Sequence, residues 1–158
     1  MPMKQSIQQF LGRLTVLSKL ENCEADEIAE LYDFGPVKTM ENTAEIFINE
    51  PRPARSALKA FLYELPPDVL LSMVVLMYAG RDGEEELRAV DTHCAPNVSY
   101  MGVASSIAEK RSRMEYINGG VKSLGKSNLL DLQARVQARL EQVQAVDDRP
   151  VLRQGPSS

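Results

Sequence analysis

The sequence is poor in the residues that carry most metal, redox and disulfide chemistry. Its 158 residues include one histidine, two cysteines and no tryptophan. Cys23 and Cys94 are too few and too far apart for the disulfide framework of a small secreted domain. The first residues also lack the basic and apolar segments of a signal peptide. We therefore expect reduced thiols and a cytoplasmic location.

Long apolar runs are also missing. The longest charge-free apolar run extends from Val69 to Gly80 and has 12 residues, whereas a membrane-spanning helix needs about 20. We expect no contact with a membrane. Because the run is apolar on every side, it predicts a helix over Val69–Ala79 that other helices surround.

Most of the chain has the three- and four-residue apolar spacing of amphipathic helices. Predicted helices cover residues 6–20, 25–34, 54–65, 69–79, 82–94, 99–118 and 128–146. Residues 37–49 are compatible with helix or strand, and we favour helix because a lone strand would have no partner. The prediction is an all-α bundle of about six or seven helices in a single domain, residues 1–146. A disordered tail, residues 147–158, would follow it.

Glycine, aspartate and serine mark the predicted helix ends. Gly80 would end the central helix, and Asp82 would cap the next one. Gly119 and Gly120 would end the helix over residues 99–118, and Ser127 would cap the last helix.

One segment matches the phosphate-binding loop pattern G-x-x-x-x-G-K-[ST]. In such a loop Gly120 and Gly125 would bring backbone N–H groups to phosphates, Lys126 would reach them, and Ser127 would bind magnesium. That loop normally follows a buried strand, whereas residues 113–118 predict the end of a helix. We therefore favour a connection between two helices and expect no cofactor. A nucleotide or phosphate site remains the alternative.

His93 and Cys94 are the other residues typical of metal or nucleophile chemistry. Adjacent residues of a helix do not face each other, and the chain has a single histidine, no C-x-x-C motif and a distant Cys23. The pair therefore predicts structural roles, and we expect neither a metal site nor catalytic residues.

Two features favour an interaction with another protein. The last helix has an apolar seam with heptad-like spacing. The seam consists of Leu129, Leu132, Val136, Leu140 and Val143. It predicts packing on its own domain or, as the alternative, a homodimer or partner contact. Arg81 and Asp82 follow the central helix, where they form either an exposed recognition turn or a structural cap.

The charge distribution is uneven but modest. Residues 1–50 carry 4 basic and 9 acidic side chains, whereas residues 101–158 carry 9 and 6. Such asymmetry suits docking to a protein, while nucleic-acid binding normally requires a clear basic stripe. Nucleic-acid binding is therefore a minor alternative. It would use Lys110, Arg111, Arg113, Lys122 and Lys126.

Two motifs next to each other form a further pattern. The first reads L-x-x-F-L-x-x-L-x-x-D from Leu58 to Asp68, and the second reads M-V-V-L-M-Y-A-G-R-D from Met73 to Asp82. They resemble a bacterial family known only as a domain of unknown function, with the core L-x-x-F-[IL]-x-x-L-x-x-D and L-V-x-L-M-W-x-G-R. The resemblance covers about residues 54–124. It implies a helical domain and no catalytic residues.

Together these features predict a non-enzymatic protein-interaction module. It would act as a regulator, adaptor or inhibitor of a larger cytoplasmic assembly, and an inhibitor encoded by a phage or mobile element is one variant. The phosphate binder at Gly120–Ser127 and the weak nucleic-acid binder are the alternatives.

Overall fold

The protein is a bundle of α-helices. The computed structural model describes residues 6–31, 51–83 and 85–149. These ranges contain α1 (Ile7–Leu31), α2 (Pro53–Tyr63), α3 (Pro67–Asp82), α4 (Glu86–His93), α5 (Tyr100–Glu109), α6 (Arg113–Leu124), a 3₁₀ turn (Lys126–Asn128) and α7 (Leu129–Gln142). The all-α prediction is confirmed, while the predicted element at residues 37–49 lies outside the described residues.

Helix α3 is the centre of the bundle, as the sequence predicts. All side chains from Asp68 to Met77 are buried, because α4, α5, α6 and α7 pack around them. The helix is longer than predicted, since it continues through Gly80 to Asp82 and ends at Gly83 with a φ of 67°. Asp82 therefore does not cap α4, which begins at Glu86 without a side-chain cap.

The closest helix contact is the crossing of α3 and α6, and it is made by glycines. A Cβ atom on Gly80 would overlap the carbonyl oxygen of Tyr116 and lie 2.6 Å from the backbone nitrogen of Gly120. A Cβ atom on Gly120 would overlap the carbonyl oxygen of Leu76. The prediction that Gly119 and Gly120 end a helix is therefore wrong. Both lie inside α6, where the backbone contact of Gly120 with Leu76 leaves no room for a side chain and Gly119 faces Gly80 at close range.

Helix α1 is continuous over 25 residues, where the sequence predicts two helices separated near residues 21–24. Residues 21–24 contain no glycine or proline that would end a helix. Glu21 is buried there, and its carboxylate accepts hydrogen bonds from Arg113 Nη2 at 2.9 Å and from Arg52 Nη2 at 2.6 Å. Glu21, which lies between the two predicted helices, therefore connects α1 to Arg52 and Arg113.

Arg113 divides the predicted helix 99–118 into α5 and α6. The Arg113 Nε atom donates to the Ile107 carbonyl at 2.9 Å, and Nη2 donates to the Ala108 carbonyl at 2.8 Å. These carbonyls belong to the last turn of α5, where the helix leaves acceptors unsatisfied. A buried arginine side chain thus completes the end of α5, and no glycine is needed.

Helix α2 is held at its N-terminus by α1. The two carboxylate oxygens of Glu24 accept hydrogen bonds from the backbone nitrogens of Ala54, at 2.7 Å, and Arg55, at 3.1 Å. A carboxylate at this position satisfies unpaired N–H groups and suits the positive end of the helix dipole. Helix α1 therefore fixes where α2 starts.

The segment after α7 returns to the start of α5. Val146 pairs with Ser99 in an isolated parallel bridge. The Asp148 carboxylate accepts hydrogen bonds from Ser99 Oγ at 2.6 Å and the Met101 nitrogen at 2.9 Å, and both hold the Asp148 pKa below its ordinary value. Arg149 Nη1 donates to the Leu65 carbonyl at 2.7 Å. The predicted tail is therefore fixed as far as Arg149, and residues 150–158 lie outside the described residues.

We predict that Gly120→Ala destabilises the protein by roughly 1–3 kcal/mol or more, because the added methyl group forces α3 and α6 apart. The matched control is Gly12→Ala, where an added Cβ meets nothing within 4 Å. That change in an exposed helix interior stabilises by about 0.5–1 kcal/mol. Urea unfolding of both variants measures the difference, and an equal effect would contradict the crossing.

We predict a large difference between two carboxylate deletions in α1. Glu21→Ala leaves the buried Arg113 charge uncompensated and costs roughly 3–5 kcal/mol of unfolding free energy. Asp26→Ala removes an exposed pair with Arg111 and costs at most about 1 kcal/mol. Denaturant titrations of both variants test this, and similar losses would show that the Glu21 pair is not a buried link.

Candidate functional site

The residues of the predicted phosphate-binding loop do not form a loop. Gly120 is buried inside α6 against Leu76, and Gly125 ends that helix with a φ of 96°. Lys126 and Ser127 lie in the following 3₁₀ turn, where both are exposed. The N–H groups of residues 121–124 lie within α6, so they do not surround an anion in the manner of a phosphate loop. Ser127 also makes no cap hydrogen bond to α7.

The predicted interaction seam of α7 faces its own bundle. Leu129, Leu132 and Val136 are buried in the core, and Leu140 is half-buried against it. Val143 is half-buried just beyond the end of α7. Four of the five seam residues are therefore used for internal packing, so a homodimer through this seam would require α7 to leave the domain.

Arg81 and Asp82 lie at the exposed end of α3. The Arg81 Nε atom is 3.3 Å from Asp82 Oδ1, and the Arg81 guanidinium lies 5.6 Å from the centre of the Tyr78 ring. Tyr78 in turn stacks on His93, with ring centres 4.6 Å apart. This arrangement orients Arg81 at the surface and gives His93 a packing role.

Two of the five basic residues considered for nucleic-acid binding have other roles. Arg113 is buried with Glu21, and the exposed Arg111 binds Asp26 at 2.8 Å. The remaining lysines lie in three different segments, at positions 110, 122 and 126. Because Arg113 is buried, it cannot contact a phosphate backbone. The five basic residues therefore do not form one exposed surface.

Cys94 is a core residue. It is fully buried, and burial raises the pKa of its thiol to about 11. Cys23, by contrast, is exposed on α1, and neither cysteine is in a disulfide. Among the described residues, no group of three His, Cys, Asp or Glu side chains comes together in a way that could hold a metal ion.

An apolar surface on α1 and α2 stays partly exposed in the packed bundle. Val16 and Leu20 lie one turn apart on α1 and are 58% and 54% exposed. Beside them, α1 and α2 form a groove of about 520 Å³ that includes Phe10, Leu17 and Phe61. We name these five residues together the α1–α2 face.

The groove combines aromatic walls with a charged rim. The rings of Phe10 and Phe61 lie 6.4 Å apart and tilted by 44°. Arg13 from α1 and Glu64 beyond α2 also line the groove. An apolar floor with one positive and one negative group at its rim can bury an apolar helix face and fix its direction.

Part of this face had a signal in the sequence. Phe10 and Leu17 follow the core spacing of α1, whereas Val16 and Leu20 lie outside the core stripe of the same helix. Two apolar residues at i and i+4 outside the core stripe indicate a second contact surface. The groove itself depends on the position of α2, which the spacing within α1 does not predict.

Comparisons with known proteins give no match, either to protein-family models, to curated proteins or to solved structures. The resemblance to the bacterial family of unknown function therefore stays a prediction. In the structure the motif residues, 58–82, lie on α2, on α3 and in the turn between them.

In the described ranges no single helix is both long and apolar enough to cross a membrane, although α2 and α3 together meet that requirement with a bend of 114° between them.

We predict that the two thiols differ strongly in reactivity. At pH 8 roughly a thousandth of the Cys94 thiol is ionised, since its pKa is about 11, and the side chain is buried as well. Cys23 is exposed. Ellman's reagent should therefore titrate one thiol quickly and the second only after unfolding, with Cys23→Ser as the control that removes the fast phase. Two fast thiols in the native protein would contradict the burial of Cys94.

Proposed function

We propose that this protein is a non-enzymatic interaction module that acts as a regulator, adaptor or inhibitor of a larger cytoplasmic assembly. The observation that carries the proposal is the α1–α2 face, where Val16 and Leu20 are more than half exposed beside the groove. Contiguous apolar residues at a protein surface mark interaction sites more often than isolated ones do.

The anatomy of the face supports a protein partner. Phe10 and Phe61 supply aromatic side chains, which are enriched at the centres of interfaces. The groove lies between two helices that Glu21 and Glu24 attach to each other through Arg52 and the start of α2. A surface that is already rigid loses little conformational entropy when a partner binds.

The residues that the sequence offered for chemistry support the same proposal. Arg113 completes the end of α5, His93 stacks on Tyr78, and Cys94 is buried with a raised pKa. Each has a structural use. The two unpaired thiols favour a reducing compartment such as the cytoplasm.

We predict that Val16→Glu combined with Leu20→Glu lowers partner recovery at least about tenfold. Two charges in the α1–α2 face should cost more than about 1.4 kcal/mol of binding free energy. Native affinity purification with quantitative mass spectrometry measures the recovery. The matched control is Leu130→Glu on α7, since Leu130 is 61% exposed and lies outside the α1–α2 face.

The variant positions are exposed in the bundle, so both proteins should keep their thermal unfolding midpoints within a few degrees. Equal recovery of every specific partner by the double variant and the control would sink the proposal that this face binds.

A further inference from the structure

We infer that the outer side of α1, which contributes Val16 and Leu20 to the α1–α2 face, binds a second copy of this chain, with the two α1 helices antiparallel and a two-fold axis beside Leu20. The inference rests on the proposed function, because it names the partner of the same surface. It also moves the homodimer predicted for α7 to α1, since α7 buries its seam internally.

The outer side of α1 carries a seam of its own. Seven exposed residues follow an alternating spacing of four and three, which is the spacing of a coiled-coil contact line. They are Gln9, Arg13, Val16, Leu20, Cys23, Glu27 and Glu30. The apolar members and the cysteine occupy the middle, and the charged members lie towards the ends. The core side of the same helix is separate and carries Ile7, Leu14 and Ile28.

The charges of this outer seam are arranged for self-pairing. Arg13 lies seven residues before Leu20, and Glu27 lies seven residues after it. Seven residues are about two helical turns, so all three side chains lie on one side of α1. An antiparallel second copy centred on Leu20 therefore puts each Arg13 opposite Glu27 of the other copy, whereas a parallel copy puts like charges together.

This choice of occupant follows from the symmetry. A two-fold interface must be complementary to itself, and the outer seam of α1 has opposite charges at equal distances from an apolar centre. Arg13 and Glu27 are exposed, and neither forms an ion pair with another described residue. Pairing two copies therefore adds ion pairs without breaking any that the described part of the chain contains.

The geometry also fixes which cysteines can meet. With the axis at Leu20, Val16 lies within about one residue rise, 1.5 Å along the axis, of Cys23 in the second copy. The two Cys23 residues are about 9 Å apart along the axis, which is beyond the usual Cα separation in a disulfide. Val16→Cys should therefore form a disulfide with Cys23 of the second copy, while the parent protein should not cross-link through Cys23.

The test is oxidative cross-linking, read on non-reducing gels at increasing protein concentration. We expect covalent dimers from Val16→Cys, and their loss when Cys23→Ser is added. Leu20→Cys in the Cys23→Ser background should cross-link to itself, since Leu20 lies on the axis. Leu130→Cys in that background is the control for random collisions. Cross-linking of Val16→Cys that persists without Cys23 would show a different arrangement and overturn the inference.

A charge exchange tests the same register without cysteines. Arg13→Glu or Glu27→Arg alone should weaken dimerisation about tenfold, because each places like charges opposite each other at two symmetric points. The double variant restores opposite charges and should recover the parent dissociation constant in sedimentation experiments. Failure of the double variant to recover would contradict the antiparallel pairing.

The two proposals fail separately. If the protein stays monomeric and no variant cross-links, while Val16→Glu with Leu20→Glu still loses its partner, the face binds a different protein and only the second-copy inference is wrong. If that double variant changes neither the oligomeric state nor the partner recovery, both proposals are wrong. If it abolishes a dimer that the cross-links place at Leu20, both stand.

Discussion

The backbone contact between α3 and α6 is the constraint on which the rest of the bundle depends. Gly80 and Gly120 let the two helices meet without any side chain between them. On its other sides α3 packs against α4, α5 and α7. Together these neighbours bury its residues from Val69 to Met77. A helix that is apolar on every side is buried only when other helices surround it.

Arg113 connects this centre to the surface that we propose as functional. It begins α6, completes the end of α5 and binds Glu21 on α1. Glu21 also binds Arg52, which precedes α2. A buried ion pair of this kind is not in itself a large source of stability. Its effect here is positional, because it keeps the core side of α1 inward and leaves Val16 and Leu20 on the outside.

The comparison of α1 with α7 shows how far sequence reasoning about the candidate site could go. Both helices have apolar residues at spacings of three and four, and such spacing identifies a contact line without naming its occupant. The seam of α7, including Leu132 and Val136, is filled by the protein's own core. The outer seam of α1 was missed because the stronger core stripe of the same helix accounts for most of its apolar residues. Only the packed bundle distinguishes an internal seam from an exposed one.

The sequence by itself determined the all-α class and the central place of α3, since both follow from local spacing and from an apolar run too short to cross a membrane. The tertiary structure decided the roles of the individual breakers and charges. Gly80 and Gly120 serve a helix crossing instead of helix ends, and Arg113 ends α5 where no local signal exists. The reason is physical: glycine and arginine act here through partners that are distant along the chain, and periodicity within one helix carries no information about those partners.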